Sequence, residues 1–96
     1  MDDDLSIVGK RLKQLRTERQ LTMDMVVTDI NNKYNIEITR GHLSKWENGV
    51  NIPTLRLAGY LCLYYGISLD YLLGFTDSRV PTDLLAQIKN KKGNKT

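Results

Sequence analysis

The sequence predicts an all-α protein, and three observations support this fold class. Apolar residues recur at helical spacing in five or six segments of the chain. A serine or threonine, which favours the N-cap of a helix, precedes each of the better defined segments. Only two prolines occur, both in contexts typical of turns. At 96 residues the chain is long enough for one domain with a modest core. We therefore expect a compact five-helix domain and a possible sixth helix.

The first predicted helix follows Ser6, which can act as its N-cap. Its apolar stripe consists of Val8, Leu12 and Leu15. Lysine, arginine and glutamine occupy the positions between them, as expected for a helix with one buried face. The polar sequence at Arg19 and Gln20 predicts the end of this helix.

The second predicted helix begins after Thr22, with Asp24 favourably placed in its first turn. Its apolar residues are Met25, Val26, Val27 and Ile30. The helix is expected to run to about Lys33 or Tyr34. Asparagines at positions 31, 32 and 35 lower the helical propensity of its last turns. Residues 36–38 are therefore predicted to form an extended connector.

The third predicted helix runs from Arg40 to Asn48, with Thr39 as its N-cap. Its buried residues are expected to be Leu43 and Trp46. Gly49 can adopt the positive φ that ends a helix. Pro53 disfavours helical geometry at the residue before it, so residues 50–53 are predicted to form a loop.

Two further helices follow this loop. Thr54 caps the fourth helix and Gly66 ends it. Ser68 caps a short fifth helix that Gly74 closes. The buried residues expected in these helices are Leu57, Ala58, Leu61, Cys62, Tyr65, Leu69, Leu72 and Leu73.

The C-terminal part of the chain carries a weaker signal. A sixth helix between Pro81 and Lys89 would place three apolar residues on one stripe: Leu84, Leu85 and Ile88. The residues after it are polar and rich in lysine. We therefore divide the chain into a helical domain at residues 1–75 and a C-terminal helix with a basic tail at residues 76–96.

The composition excludes several classes of protein. A formal net charge of +3 permits a nucleic-acid partner without requiring one. The single cysteine, Cys62, cannot form an intramolecular disulfide and fits a reducing compartment. No apolar run is long enough to cross a bilayer, and the acidic start is unlike a signal peptide. We expect a cytoplasmic protein without a membrane partner.

The sequence contains few residues of the types that form catalytic or metal sites. One histidine and one cysteine do not make a metal site. The acidic residues form no obvious acid–base pair on one helix face, and no glycine-rich phosphate-binding loop is present. We therefore expect no cofactor, no metal and no enzymatic activity.

The order of short motifs from Gly9 to Leu73 resembles the phage-repressor-like, xenobiotic-response-element type of helix-turn-helix family. The matching stretches are GKRLKQLR at 9–16, LT at 21–22, LSKWENG at 43–49, PTL at 53–55, LC at 61–62, YGIS at 65–68 and LDYLL at 69–73. Each stretch alone is weakly specific, whereas the ordered set is strongly so. The resemblance implies a transcriptional regulator that binds double-stranded DNA sequence-specifically, such as a phage or prophage repressor.

The resemblance also implies roles for individual residues. In this family the third helix enters the major groove, where each base pair presents its own pattern of donors and acceptors. Arg40 can form a bidentate contact with guanine. The residues implied to contact bases or phosphates are Thr22, Thr39, Arg40, Gly41, His42, Ser44, Lys45, Asn48, Gly49 and Asn51. Arg16 and Glu47 match a pair that bridges the first and third helices.

Relatives of this type bind inverted repeats as dimers, with half-sites about one helical turn apart. The resemblance therefore implies a homodimer on an operator. Two sets of apolar residues are candidates for the dimer contact: Leu69, Leu72 and Phe75, or Leu84, Leu85 and Ile88.

Two departures from the family pattern keep other functions open. The segment before Leu43 is about six residues longer than the usual tight turn, roughly from Asn31 to Ile36. Met23 stands where many relatives have a glutamine that contacts phosphate. One alternative is the antitoxin of a toxin–antitoxin pair, in which the same domain also holds a toxin. Another is a protein-interaction module that does not bind DNA. A repressor could also have a protein antagonist as its partner.

Overall fold

The computed structural model describes residues 3–80, which form five helices and no strand. The helices are α1 (Asp3–Glu18), α2 (Met23–Tyr34), α3 (Arg40–Glu47), α4 (Leu55–Tyr65) and α5 (Leu69–Leu72). The predicted all-α class with five helices is confirmed for this part of the chain. The possible sixth helix, with Leu84, Leu85 and Ile88, lies outside the described residues.

Four helices begin where the sequence predicts. In each, the N-cap side chain accepts a hydrogen bond from the backbone N–H three residues later, which satisfies one of the free donors at the helix start. The four N-caps are Thr22, Thr39, Thr54 and Ser68. The predicted start of α1 was wrong, because this helix begins at Asp3 and therefore includes Ser6. An acidic sequence such as the one before Ser6 is favourable at the N-terminus of a helix.

One hydrophobic core joins the five helices. The largest fully buried side chains are Leu12, Leu15, Val26, Ile30, Leu43, Leu61, Tyr65 and Leu72. Burial of one such aliphatic side chain contributes roughly 1.5–3 kcal/mol. Because α3 packs against both α1 and α2, this core fixes the direction of α3.

The position of Leu72 corrects one of the expected dimer contacts. Its side chain is only 1% exposed, because α5 packs against α1 and α4 and turns Leu72 into the core. Leu72 is therefore not part of a surface that a second copy could contact. Of the other two members of that set, Leu69 is half-buried and Phe75 is 77% exposed.

Residues after α5 return to α1. Arg11 of α1 donates to the Thr76 carbonyl at 2.8 Å and to Asp77 Oδ1 at 2.9 Å. Arg79 donates to both Glu18 carboxylate oxygens, at 2.8 and 2.9 Å, and this contact lowers the pKa of Glu18. The guanidiniums of both arginines lie over the Tyr71 ring, 4.0 and 5.4 Å from its centroid. Residues 76–80 are therefore held against the helical domain.

Candidate nucleic-acid interface

α3 has a buried side and an exposed side. Leu43 and Trp46 are buried, as predicted, and they anchor the helix in the core. The exposed residues of α3 are Arg40, Gly41, His42 and Lys45, and Ser44 is half-buried. The exposed side thus carries cationic and hydrogen-bonding groups, and the buried side chains on the opposite side fix the orientation of the helix.

The first turn of α3 is closed by two reciprocal hydrogen bonds between Thr39 and His42. The His42 backbone N–H donates to Thr39 Oγ1 at 3.1 Å, and the Thr39 backbone N–H donates to His42 Nδ1 at 3.1 Å. Nδ1 must be unprotonated to accept this bond, which leaves Nε2 as the donor of the neutral imidazole. The imidazole lies nearly parallel to the Trp46 ring, with 6.0 Å between centroids. His42 is therefore a capping residue whose Nε2–H remains for another acceptor.

The last turn of α3 is closed by Asn48. Its side-chain amide donates to the Ser44 carbonyl at 2.9 Å and to Ser44 Oγ at 3.2 Å. Gly49 follows with a φ of 74°, which reverses the chain. Asn51 is exposed in the loop that follows. In the free protein the Asn48 amide is already hydrogen-bonded to Ser44, so a contact between this amide and a phosphate would replace one of these bonds.

Glu47 points from α3 towards α1 and not into solvent. Arg16 Nε donates to Glu47 Oε2 at 2.7 Å, and Arg16 Nη2 donates to Glu47 Oε1 at 2.9 Å. The hydrogen bond to Glu47 raises the pKa of Arg16. Arg16 Nη1 donates to the Leu21 carbonyl at 2.9 Å, immediately before the start of α2. The expected pair is present, and all three nitrogens of the guanidinium have partners within the protein.

The close contact between α1 and α3 depends on Gly9. A Cβ atom at this position would lie 2.8 Å from the Glu47 carbonyl oxygen and would also clash with the Trp46 carbonyl oxygen. Both are backbone atoms, so they cannot move aside as a flexible side chain does. The absence of a side chain at Gly9 thus allows α1 to lie directly against the C-terminal end of α3.

The start of α2 lies beside the start of α3. Thr22 is exposed and caps α2 through its hydroxyl oxygen, which accepts from the Met25 N–H at 3.1 Å. Asp24 Oδ2 lies 3.5 Å from Arg40 Nη1, and both side chains are largely exposed. Met23 is half-buried and packs against the core. This corner therefore combines an exposed, capped helix N-terminus with an exposed acidic and an exposed basic side chain.

Residues 9–77 match the family model described as a helix-turn-helix domain, which covers well over half of the chain. The chain belongs to the helix-turn-helix domain family. Proteins of this family are of the DNA-binding regulator type. Comparison with curated proteins and with solved structures finds no match.

The longer segment before α3 is ordered by a residue whose role the sequence did not reveal. In this helix-turn-helix domain, the Asn31 amide donates to the Ile38 carbonyl at 2.8 Å, and the Ile38 N–H donates to Asn31 Oδ1 at 2.8 Å. Asn35 ends α2 with a φ of 55°, and Ile38 is buried. The Tyr34 ring stacks on Tyr60 of α4 at 5.0 Å. The extra residues thus lengthen α2 and then return to the core immediately before Thr39.

Among residues 3–80, no group of three or more histidine, cysteine, aspartate or glutamate side chains could hold a metal ion. No helix in that range is both long enough and apolar enough to cross a membrane. Cys62 is buried, as predicted, and burial raises the pKa of its thiol to about 11.

Proposed function

We propose that this helix-turn-helix domain binds double-stranded DNA sequence-specifically and represses transcription by occupying an operator. In this proposal α3 lies in the major groove and α2 crosses the sugar–phosphate backbone. The observation that supports it best is the exposed N-terminal half of α3, which presents Arg40 and His42 from a helix anchored by Leu43 and Trp46.

Base reading is assigned to the first turn of α3. The Arg40 side chain is 67% exposed, so its guanidinium is available to donate to O6 and N7 of guanine. A good bidentate pair of this kind is worth roughly 1–3 kcal/mol of discrimination against the wrong base. Gly41 has no side chain, so it allows the backbone to approach the bases closely. His42 Nε2–H adds a further donor within the same first turn.

Phosphate contacts are assigned to groups on both sides of α3. Lys45 supplies an exposed positive charge. The first turn of α2 supplies backbone N–H groups and the hydroxyl of Thr22, and the loop after α3 supplies Gly49 and Asn51. Such contacts set the affinity and its dependence on salt concentration but carry no sequence information.

The proposal includes a homodimer on an inverted-repeat operator. Half-sites about one helical turn apart would place one α3 in each of two successive major grooves. Phe75 is available for a contact with a second copy, since 77% of its surface is exposed. Sedimentation of the protein with and without its operator, compared with a Phe75→Ser variant, measures this contact directly.

Selection of bound duplexes from a random DNA pool at two salt concentrations tests the proposed function. Recovery of one inverted repeat that survives the higher salt concentration is the expected result. Binding that is independent of sequence and is lost at higher salt would contradict sequence-specific recognition. In that case a search for a protein partner becomes the next experiment.

Variants then test the placement of α3. Arg40→Ala should relax the preference at one base pair by roughly 5- to 150-fold. Asn48→Ala should weaken binding to all duplexes to the same extent, because a phosphate contact carries no sequence information. Lys10→Ala is the charge-matched control for Arg40→Ala, because Lys10 is exposed on α1 outside the proposed interface. If Arg40→Ala and Asn48→Ala both bind the operator like the unmodified protein, α3 is not the reading helix.

A further inference from the structure

Asp24 and Arg40 form an ion pair between the first turns of α2 and α3. Arg40 Nη1 lies 3.5 Å from Asp24 Oδ2, and the two side chains are 67% and 70% exposed. The two residues are brought together by the packing of α2 against α3, on opposite sides of the connector. The pair therefore lies on the surface to which DNA binding is assigned, and next to the residue assigned to read a base.

The atoms of the pair leave part of the Arg40 guanidinium available. Contact through Nη1 leaves Nε and Nη2, which together form the two-donor edge that bonds two acceptors side by side. The Arg16 guanidinium of the same protein uses its nitrogen donors in this way. Its Nε and Nη2 bond the two oxygens of Glu47 at 2.7 and 2.9 Å, while Nη1 bonds the Leu21 carbonyl at 2.9 Å. Arg40 can likewise hold Asp24 through Nη1 and two acceptors of one base through its other edge.

We infer that Asp24 is a positioning residue for base recognition, which acts by holding Arg40 with its Nε–Nη2 edge towards guanine. The inference rests on the proposed function, which assigns guanine as the base that Arg40 reads. O6 and N7 of guanine are two adjacent acceptors in the major groove, whereas adenine offers N7 beside an amino donor. A guanidinium held in this orientation therefore favours guanine over adenine at that position.

The negative charge of Asp24 affects the overall affinity for DNA. A carboxylate near the DNA backbone repels phosphates, which weakens binding to every duplex. On a duplex with guanine at the right position, Arg40 remains paired with Asp24 and partly neutralises it. On other duplexes Arg40 makes no base contact that offsets the repulsion. Asp24 thus lowers the affinity for every duplex, and it raises the ratio between correct and incorrect sites only through the orientation that it imposes on Arg40.

The test compares Asp24→Asn with Asp29→Asn on two duplexes. The first is the operator selected by the unmodified protein. The second has A·T in place of the base pair at which Arg40→Ala relaxes the protein's sequence preference. Asp29 is a matched control because it is an exposed aspartate on the same helix, and asparagine can still accept the 2.8 Å hydrogen bond from Tyr64. We expect Asp24→Asn to reduce the affinity ratio by about 1.4- to 5-fold, the range for an exposed ion pair. Asp29→Asn should leave the ratio unchanged.

Two further variants exclude a role in stability alone. Asp24→Glu keeps the charge and should retain most of the affinity ratio. In an Arg40→Ala background, Asp24→Asn should have no effect on the ratio, because there is no guanidinium left to position. An equal loss of the ratio in both backgrounds would overturn the inference, as would equal behaviour of Asp24→Asn and Asp29→Asn. If the unmodified protein selects no operator at all, the proposed function itself fails, which is a different outcome.

Discussion

Arg16 and Glu47 form a two-bond ion pair across the contact between α1 and α3. The two hydrogen bonds measure 2.7 and 2.9 Å, and the Glu47 side chain is only 1% exposed. A carboxylate on the exposed side of α3 would repel DNA, whereas here the charge is buried and paired. The pair also links the end of α3 to the turn before α2, because Arg16 holds the Leu21 carbonyl as well. It therefore fixes the relative positions of the two helices assigned to DNA.

The first prediction concerns the cost of breaking this pair. Arg16→Met leaves the buried Glu47 carboxylate without its partner, and we expect the free energy of unfolding to fall by about 3–5 kcal/mol. The double variant Arg16→Met/Glu47→Leu carries no unpaired charge and should be more stable than Arg16→Met alone. Urea unfolding followed by far-UV circular dichroism measures both. A double variant that is less stable than the single one would contradict the explanation that the unpaired Glu47 carboxylate causes the loss.

The second prediction compares two glycines inside helices. Gly9→Ala places a Cβ 2.8 Å from the Glu47 carbonyl oxygen, so α1 and α3 must separate. We expect a loss of about 1–3 kcal/mol, as for other overpacked sites. Gly59→Ala is the control, because a Cβ there meets nothing within 4 Å and alanine is the better helix former. It should stabilise the protein by about 0.5–1 kcal/mol. Melting temperatures that shift in the same direction for both variants would contradict the close contact at Gly9.

The sequence predicted those features of the fold that depend on neighbouring residues. Thr22, Thr39 and Ser68 cap helices because a hydroxyl followed by an apolar stripe is a local signal. Burial of Trp46 follows from the same helical spacing. The start of α1 was predicted too late, because a serine inside an N-terminal turn looks like a cap when its helix begins earlier.

Features that depend on distant residues were not predictable in the same way. Gly9 looks like an ordinary glycine until the carbonyls of Trp46 and Glu47 are placed against it. Leu72 belongs to an apolar stripe, but spacing alone does not tell whether the protein's own core or a second copy covers it. The pairing of Asp24 with Arg40 depends on how the longer connector positions α3 relative to α2, and the family pattern does not predict the path of this connector.

The third prediction concerns Cys62. Burial raises the pKa of its thiol from 9.0 to about 11, so at pH 8 the folded protein holds far less reactive thiolate than the unfolded chain. Alkylation by iodoacetamide at pH 8 should be at least about 100-fold slower in the native protein than in urea. Because the pKa of the thiol is higher in the folded state, its ionisation should not make the free energy of unfolding depend on pH below pH 9. Stability should then fall as the pH rises from 9 to 11. Equal alkylation rates in the native and unfolded states would contradict the burial of Cys62.

The last prediction concerns Asn31, whose low helical propensity disfavours the last turns of α2. Its side chain bonds both backbone groups of Ile38 at 2.8 Å, directly before the cap of α3. Asn31→Ala improves helical propensity but leaves the N–H and the carbonyl of Ile38, a residue only 5% exposed, without these partners. We expect a net loss of about 1–3 kcal/mol in the free energy of unfolding.

Asn32→Ala is the matched control, since Asn32 is exposed on the same turn and should gain up to about 0.7 kcal/mol. Urea unfolding of the two variants gives opposite signs if Asn31 orders the connector. The same two variants also separate an effect on stability from an effect on DNA binding, because the connector leads directly into the first turn of α3. At a temperature well below both unfolding midpoints, Asn31→Ala should bind the selected operator more weakly, whereas Asn32→Ala should bind it unchanged. Operator affinity that is equal in the two variants would mean that the core alone orients α3 and that the Asn31–Ile38 bonds contribute only to stability.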